Sequence, residues 1–288
     1  MASFASSSAA SRPSVLREPT QTTIAPATHS ALVVIMHGLG DSAAGFEDVA
    51  LMWAQQLPHV KFVLPTAPTQ PVSMNGGMPM PSWYDIVGLD ERSNESCDGI
   101  AQSYERIAGI LEQEHESTGL PFGRMVLSGF SQGGALSLFT GLQRKEEEKL
   151  AGVLCMSGYL AGAKQFVLSE AGKTTPTLHC HGTQDPMVRF DMAQKTEAAL
   201  KEAGHSKYEM KTYPIQHTLS QEEIVDAVKF LQEIVPADPT CDIVPKAAEE
   251  MSVKELKEAI RKGGLGRQAV GLTEKSELVK LVKDSQEK

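Results

Sequence analysis

The 288-residue chain has no apolar run approaching the roughly 20 residues that a membrane-crossing helix needs, so any contact with a membrane is expected to be peripheral. It is also poor in cysteine. Cys97, Cys155, Cys180 and Cys241 are scattered, with no Cys-x-x-Cys pair and no secretory signal ahead of them. That spacing argues against a disulfide framework and for reduced thiols, which places the protein in the cytoplasm. Basic charge is short as well. Lys and Arg number 27 against 36 Asp and Glu, a net charge of −9, so a general nucleic-acid role is not expected. The deficit is uneven. Residues 251–288 hold nine Lys/Arg against six Asp/Glu, while residues 1–250 hold 18 against 30.

Residues 1–22 are rich in Ser and Ala, with Arg12, Arg17 and a single acid, Glu18. Such a segment buries too little apolar surface to fold, and a disordered tail is the expectation. The same composition also suits an organellar targeting segment. Ala2 stands where N-myristoylation would need Gly. Asn94-Glu95-Ser96 is a glycosylation sequon only in form, since nothing points to secretion.

Past the tail, short apolar runs alternate with helical patterns. Strands are expected within 31–41 and 61–68, where each run passes into its loop, and at 124–130, 151–160, 175–182 and 206–214. Each is compact and followed by a Gly- or Pro-bearing loop, as buried parallel strands are. Helices are expected at 99–117, 131–142, 189–204 and 219–235. In the first, Ile100, Tyr104, Ile107 and Leu111 recur at spacings of three and four. Alternation of this kind predicts a mostly parallel sheet flanked by helices. Residues 71–99 read as one long Gly/Pro/Met-rich connection, and loops of that length are usually functional or disordered.

The segment "SGFSQGGA" holds Gly129-Phe130-Ser131-Gln132-Gly133, a G-x-S-x-G pattern between a strand and a helix. That is the setting of a nucleophile elbow, a sharp turn that lifts a serine hydroxyl above the sheet edge. An ordinary N-cap serine fits the same place. A nucleophilic serine needs a base, and the base needs an orienting acid. Asp185, just past a strand, and His217, between a strand and a helix, follow Ser131 in the chain order that such hydrolases use. Taken singly, Asp185 is also a common Asp-Pro turn residue and His217 a plain loop histidine. An oxyanion hole requires two backbone N–H donors. Gln132, directly after the serine, is one candidate, and Leu39 in the early loop "HGLGD" is the other.

Together these pieces resemble the acyl-protein thioesterase and lysophospholipase group of α/β-hydrolases. The carrying segments are "HGLGD", "MPSWYDI", "GFSQGGALSLFTGL", "CHGTQDPMV" and the strand–histidine loop at 208–218, spanning about residues 24 to 235. The resemblance implies an α/β-hydrolase fold with Ser131 as nucleophile, Asp185 as orienting acid, His217 as base, and Leu39 and Gln132 as oxyanion donors. It implies a substrate that is an acylated protein or a lysolipid, with no metal and no cofactor. The first expectation is hydrolysis of long-chain acyl thioesters on protein cysteines. A lysophospholipase or general carboxylesterase is the alternative within enzymes, and an inactive adaptor is the alternative outside them. The 71–88 loop then becomes the acyl-chain contact. Met74, Met78 and Met80 offer flexible apolar surface there, and Trp83 joins them as a substrate-binding candidate. Gln216 and Thr218 depart from the Met and Ser that usually flank the family's histidine.

Domain limits follow: a tail at 1–22, the hydrolase at 23–236, a Pro-rich linker at 237–250 and a module at 251–288. The module opens with Ser252-x-x-Glu255, a capping box, and Thr273 is placed to cap a second helix. The result is a small C-terminal helical hairpin that resembles a divergent SAP-type helix–linker–helix. Modules of that type bind DNA or proteins, and docking of a protein partner is the expectation; a hairpin that merely packs on the hydrolase is the alternative. His179 and His181 lie two apart on a strand, where a metal pair is conceivable, but no third ligand is evident and a structural role is expected. Gly264-Leu265-Gly266 with Ala269 mimics a dinucleotide fingerprint but has no strand before it.

Overall fold

A computed structural model describes residues 13–18, 20–88, 96–244, 246–262 and 265–286. In chain order the elements are β1 (Ser14–Glu18), β2 (Gln21–Ala25), β3 (Ala31–Met36), α1 (Glu47–Gln56), β4 (Val60–Pro65), β5 (Thr69–Val72), β6 (Met78–Pro81), α2 (Ile100–Thr118), β7 (Met125–Phe130), α3 (Gln132–Gly141), β8 (Gly152–Met156), β9 (Thr177–Gly182), α4 (Phe190–Glu202), β10 (Tyr208–Tyr213), α5 (Gln221–Ile234), α6 (Val253–Lys262) and α7 (Lys275–Gln286).

Eight strands form one sheet in the order β1-β2-β4-β3-β7-β8-β9-β10. From β4 to β10 every neighbour pair is parallel; only β1–β2 and β2–β4 are antiparallel. This is the α/β-hydrolase arrangement. Helices must cover both faces because parallel strands leave two apolar surfaces. In β3 the alternation is plain. Leu32, Val34 and Met36 enter a core shared with α2 and α3, while Ala31, Val33 and Ile35 enter one shared with α1 and α5. Helix α3 is buried along its whole length, as suits a helix apolar on all sides. It starts at the carboxyl end of β7, near the middle of the sheet, and so delivers Ser131 to the sheet's edge.

Several regions differ from the sequence reading. The expected tail at 1–22 is corrected in its second half. Residues 14–18 and 21–25 form a hairpin that adds to the sheet edge through β2–β4, with Thr22 and Ile24 buried. Residues 1–12 lie outside the described residues, as do Asn94 and Glu95 of the sequon. The 71–99 connection holds a second, two-stranded sheet, β5–β6, turned at Gly76 and Gly77 with φ of +66° and +78°. Helix α1 was not anticipated, although Ala50, Trp53, Ala54 and Leu57 carry helical spacing.

The expected 237–250 linker is also corrected. Its first half packs on the hydrolase: Asp238 N–H donates to Ser30 Oγ at 3.3 Å, and Ile243 bridges to His29. The C-terminal module has a core of its own, built from Ala248, Leu256, Ile260, Leu278 and Val282. The capping box forms reciprocally, with Glu255 N–H to Ser252 Oγ at 3.2 Å and Ser252 N–H to Glu255 Oε2 at 2.6 Å. At the second helix the cap differs from expectation. Glu277 accepts the N–H groups of Thr273 and Glu274, each at 3.1 Å, and so closes the turn from inside the helix.

Candidate active site

Ser131 joins β7 to α3 with φ +55° and ψ −118° and makes no side-chain cap bond. The turn is tight enough to exclude a side chain at the glycines two residues before and after the serine. A Cβ on Gly133 would lie 2.1 Å from the Met36 carbonyl oxygen, and one on Gly129 would lie 2.3 Å from the Gly133 carbonyl carbon. With no capping duty, Ser131 Oγ sits 3.0 Å from His217 Nε2.

His217 stands in the loop between β10 and α5, its ring 4.8 Å from that of Phe130. Its Nδ1 lies 2.6 Å from Asp185 Oδ2. The other carboxylate oxygen, Oδ1, accepts the N–H groups of Met187 at 2.8 Å and Val188 at 2.9 Å. Burial alone would raise the Asp185 carboxyl. The hydrogen bonds from His217, Val188 and Met187 outweigh it and hold the carboxyl below its ordinary value. An ionised Asp185 accepts only, so the imidazole proton belongs on Nδ1. Nε2 then presents a lone pair to the serine hydroxyl.

The loop that carries Asp185 is held from below. His181 Nε2–H donates to the Val188 carbonyl at 2.8 Å, its Nδ1 faces His179 Nε2 at 3.3 Å, and His179 Nδ1 meets the Tyr208 hydroxyl. Burial, and then the neighbouring His181, lowers His179 to about 3, so the ring is neutral and can take part in such a chain. The two strand histidines thus have protein partners on both ring nitrogens.

On the other side of Ser131, the loop from β3 brings up Leu39. Neither the Leu39 N–H nor the Gln132 N–H has an acceptor among the described residues. Both flank a cavity of 370 Å³ that contains Ser131 and His217. Its apolar lining includes Met74, Met80, Ile86, Tyr159, Met187 and Val188, and Asp41 sits among the lining residues. Two expectations are corrected here. Met78 is 62% exposed and lies outside the lining, because the β5–β6 turn points it to solvent. Trp83 is fully buried behind the cavity, its Nε1–H given to the His37 carbonyl. Sequence reasoning missed Ile86, Tyr159, Met187 and Val188. Met187 and Val188 lie two and three residues after Asp185, which was a usable signal; Tyr159 carried none.

A serine at a strand-to-helix elbow, hydrogen-bonded to a histidine that a buried aspartate holds in turn, at the carboxyl edge of a parallel sheet, defines a serine hydrolase of the α/β type. The chain belongs to the phospholipase/carboxylesterase family, whose profile matches residues 20–235. It is 41% identical over 224 residues to an acyl-protein thioesterase 1 of Mycosarcoma maydis, covering 72% of this chain and 92% of that protein. It is 39% identical over 210 residues to an acyl-protein thioesterase 1 homolog 1 of Dictyostelium discoideum, covering 73% and 92%. The crystal structure of Zea mays acyl-protein thioesterase 2 superposes with a TM-score of 0.64 at 28% identity, covering 78% of this chain and 99% of that one.

Proposed function

We propose that the protein hydrolyses long-chain acyl thioesters on protein cysteines. The observation that carries this reading is the hydrogen-bonded chain Asp185–His217–Ser131 opening into an apolar cavity. Ser131 Oγ attacks the thioester carbonyl as His217 Nε2 takes its proton. The developing oxyanion is held by the N–H groups of Leu39 and Gln132. The tetrahedral intermediate collapses, His217 returns the proton to the cysteine thiolate, and an acyl-serine remains. Water, deprotonated by His217, then releases the fatty acid.

The cavity also supports a choice of substrate. Among the described residues lining it, Asp41 is the only Asp, Glu, Lys or Arg, so these residues offer the phosphate of a lysolipid no Lys or Arg cation. The names of the relatives, acyl-protein thioesterases, support the same reading. None of the four cysteines forms a disulfide among the described residues, which supports a reducing, cytoplasmic setting. No described helix is long and apolar enough to cross a membrane. Residues 251–288, with their separate core, are proposed to dock a protein partner.

A fluorophosphonate probe tests the chemistry: wild type should label and Ser131→Ala should not. The substrate is tested by kcat/KM on a palmitoyl-cysteine peptide against lysophosphatidylcholine. A strong preference for the lysolipid overturns the thioesterase reading, and a folded wild type that never labels overturns the hydrolase reading.

A further inference from the structure

Residues 81–84 stand between the two loops that each carry one oxyanion donor. Toward the loop at 37–40 they make two bonds. Gly40 N–H donates to the Pro81 carbonyl at 2.8 Å, and Trp83 Nε1–H donates to the His37 carbonyl at 2.8 Å. Toward the elbow their three short bonds all go to the Gln132 side chain. Its Nε2 donates to Ser82 Oγ at 3.0 Å and to the Tyr84 carbonyl at 2.7 Å, and its Oε1 accepts Trp83 N–H at 3.0 Å. Gln132 is 1% exposed, so its amide is spent wholly on this segment.

His37 completes the arrangement. Ala67 N–H donates to His37 Nε2 at 2.9 Å, which leaves the ring proton on Nδ1, and Nδ1 donates to the Gly38 carbonyl at 2.7 Å. The Gly38 C=O and the Leu39 N–H belong to one planar peptide and point opposite ways. Anchoring the carbonyl therefore aims the N–H. Burial lowers the His37 imidazole below its ordinary value, against the Gly38 bond and the Asp41 charge. That favours the neutral ring that both bonds require.

We propose that residues 81–84 are a positioning bridge: by gripping the Gln132 side chain on one side and the 37–40 loop through Trp83 on the other, they set the spacing of the Leu39 and Gln132 N–H donors. Trp83 and the Gln132 amide act as positioning residues, since neither atom group faces the reacting carbonyl. The proposal rests on the serine-hydrolase reading above. Donors set in advance need no reorganisation as charge develops, so the bridge acts on the transition state and leaves ground-state binding alone.

Trp83→Phe keeps an aromatic ring but removes the Nε1–H together with part of the buried indole volume, so its melting temperature is read alongside the kinetics; Gln132→Met keeps the backbone donor and removes the side-chain amide bonds. For Trp83→Phe we expect kcat on a long-chain acyl thioester to fall about tenfold, less than outright loss of a donor. KM should stay within about twofold, and the Ki of a trifluoromethyl ketone, which binds as a tetrahedral oxyanion, should rise by the factor lost in kcat. Gln132→Met should show the same split, and the double variant should lose less than the product of the two, because both act through one segment. If Gln132→Met fails to fold, Trp83→Phe carries the test. A folded Trp83→Phe with unchanged kcat and ketone Ki overturns the bridge, as does a rise in KM at constant kcat. Wild type that does not label with fluorophosphonate overturns the underlying hydrolase reading instead, so the two failures are distinguishable.

Discussion

Replacing Asp185 with Asn tests the electrostatic logic of the site most sharply, because the surroundings dictate which way the amide must face. Oδ1 accepts two backbone N–H groups, from Met187 and Val188. An Asn whose NH₂ took that position would set donors against donors, so its oxygen must stay there. The NH₂ then faces His217 Nδ1, the atom now 2.6 Å from Oδ2. That nitrogen must become the acceptor, and the imidazole proton moves to Nε2. The ring then presents N–H, not a lone pair, to Ser131 Oγ and cannot take the serine proton. A wrong tautomer of this kind costs about 10⁴ in kcat, or about 5 kcal/mol of barrier at 1.36 kcal/mol per decade. The variant should still fold, since shape and two of the three hydrogen bonds persist. The assay is kcat on a palmitoyl-cysteine peptide at pH 7.5, alongside the rate of fluorophosphonate labelling and the melting temperature. Retention of more than a tenth of wild-type kcat by a folded Asp185→Asn protein would refute the argument.

Gly133→Ala should cost about 3 kcal/mol or more, read as a lost melting transition or insoluble protein, because the new methyl would lie 2.1 Å from the Met36 carbonyl. Glu223 gives a pH signature. Burial, against a smaller opposing contact with the Ser220 backbone, pushes its carboxyl up to about 7 from an ordinary 4.5. Between those values the folded state holds a proton that the unfolded state has lost, so stability falls as pH rises from about 4.5 to 7. The loss is then complete and amounts to about 3 kcal/mol. Glu223→Gln should therefore melt higher than wild type at pH 8 and show no gain at pH 4; an equal shift at both would refute this. Truncation after Val244 keeps the contacts of Asp238 and Ile243 with the hydrolase. It should leave kcat/KM within about twofold of the full chain, because the module's core is its own; an unfolded product would show that the module braces the enzyme.

The sheet and the Ser131, Asp185 and His217 loops were legible because each rests on local signals. Buried parallel strands are short continuous apolar runs, and each functional side chain follows one of them. What stayed hidden depends on partners distant in sequence. The hairpin at residues 14–25 is too polar to announce itself, and it becomes a strand pair only by docking on Val60–Pro65. The Thr69–Val72 and Met78–Pro81 strands contain prolines, which suit a two-stranded ribbon and mask the alternation. Trp83 read as a substrate contact because a large aromatic in a Met-rich loop looks like cavity lining. Its indole N–H instead answers a carbonyl 46 residues away. Ile86 and Tyr159 reach the cavity only through the packing of the whole domain.

The Ser131 backbone carries one more consequence. A non-glycine residue at φ +55° is held in a sparsely populated conformation at a cost on the order of 1–3 kcal/mol. The Ser131 N–H to Met156 carbonyl bond at 2.8 Å and the close packing of α3 on the sheet keep it there. Stability and activity therefore pull this one position in opposite directions. Selection for thermal robustness alone would drift it to glycine, and Ser131→Gly should melt higher than wild type while losing all turnover. The elbow marks a place where an optimised fold and an optimised enzyme are different sequences.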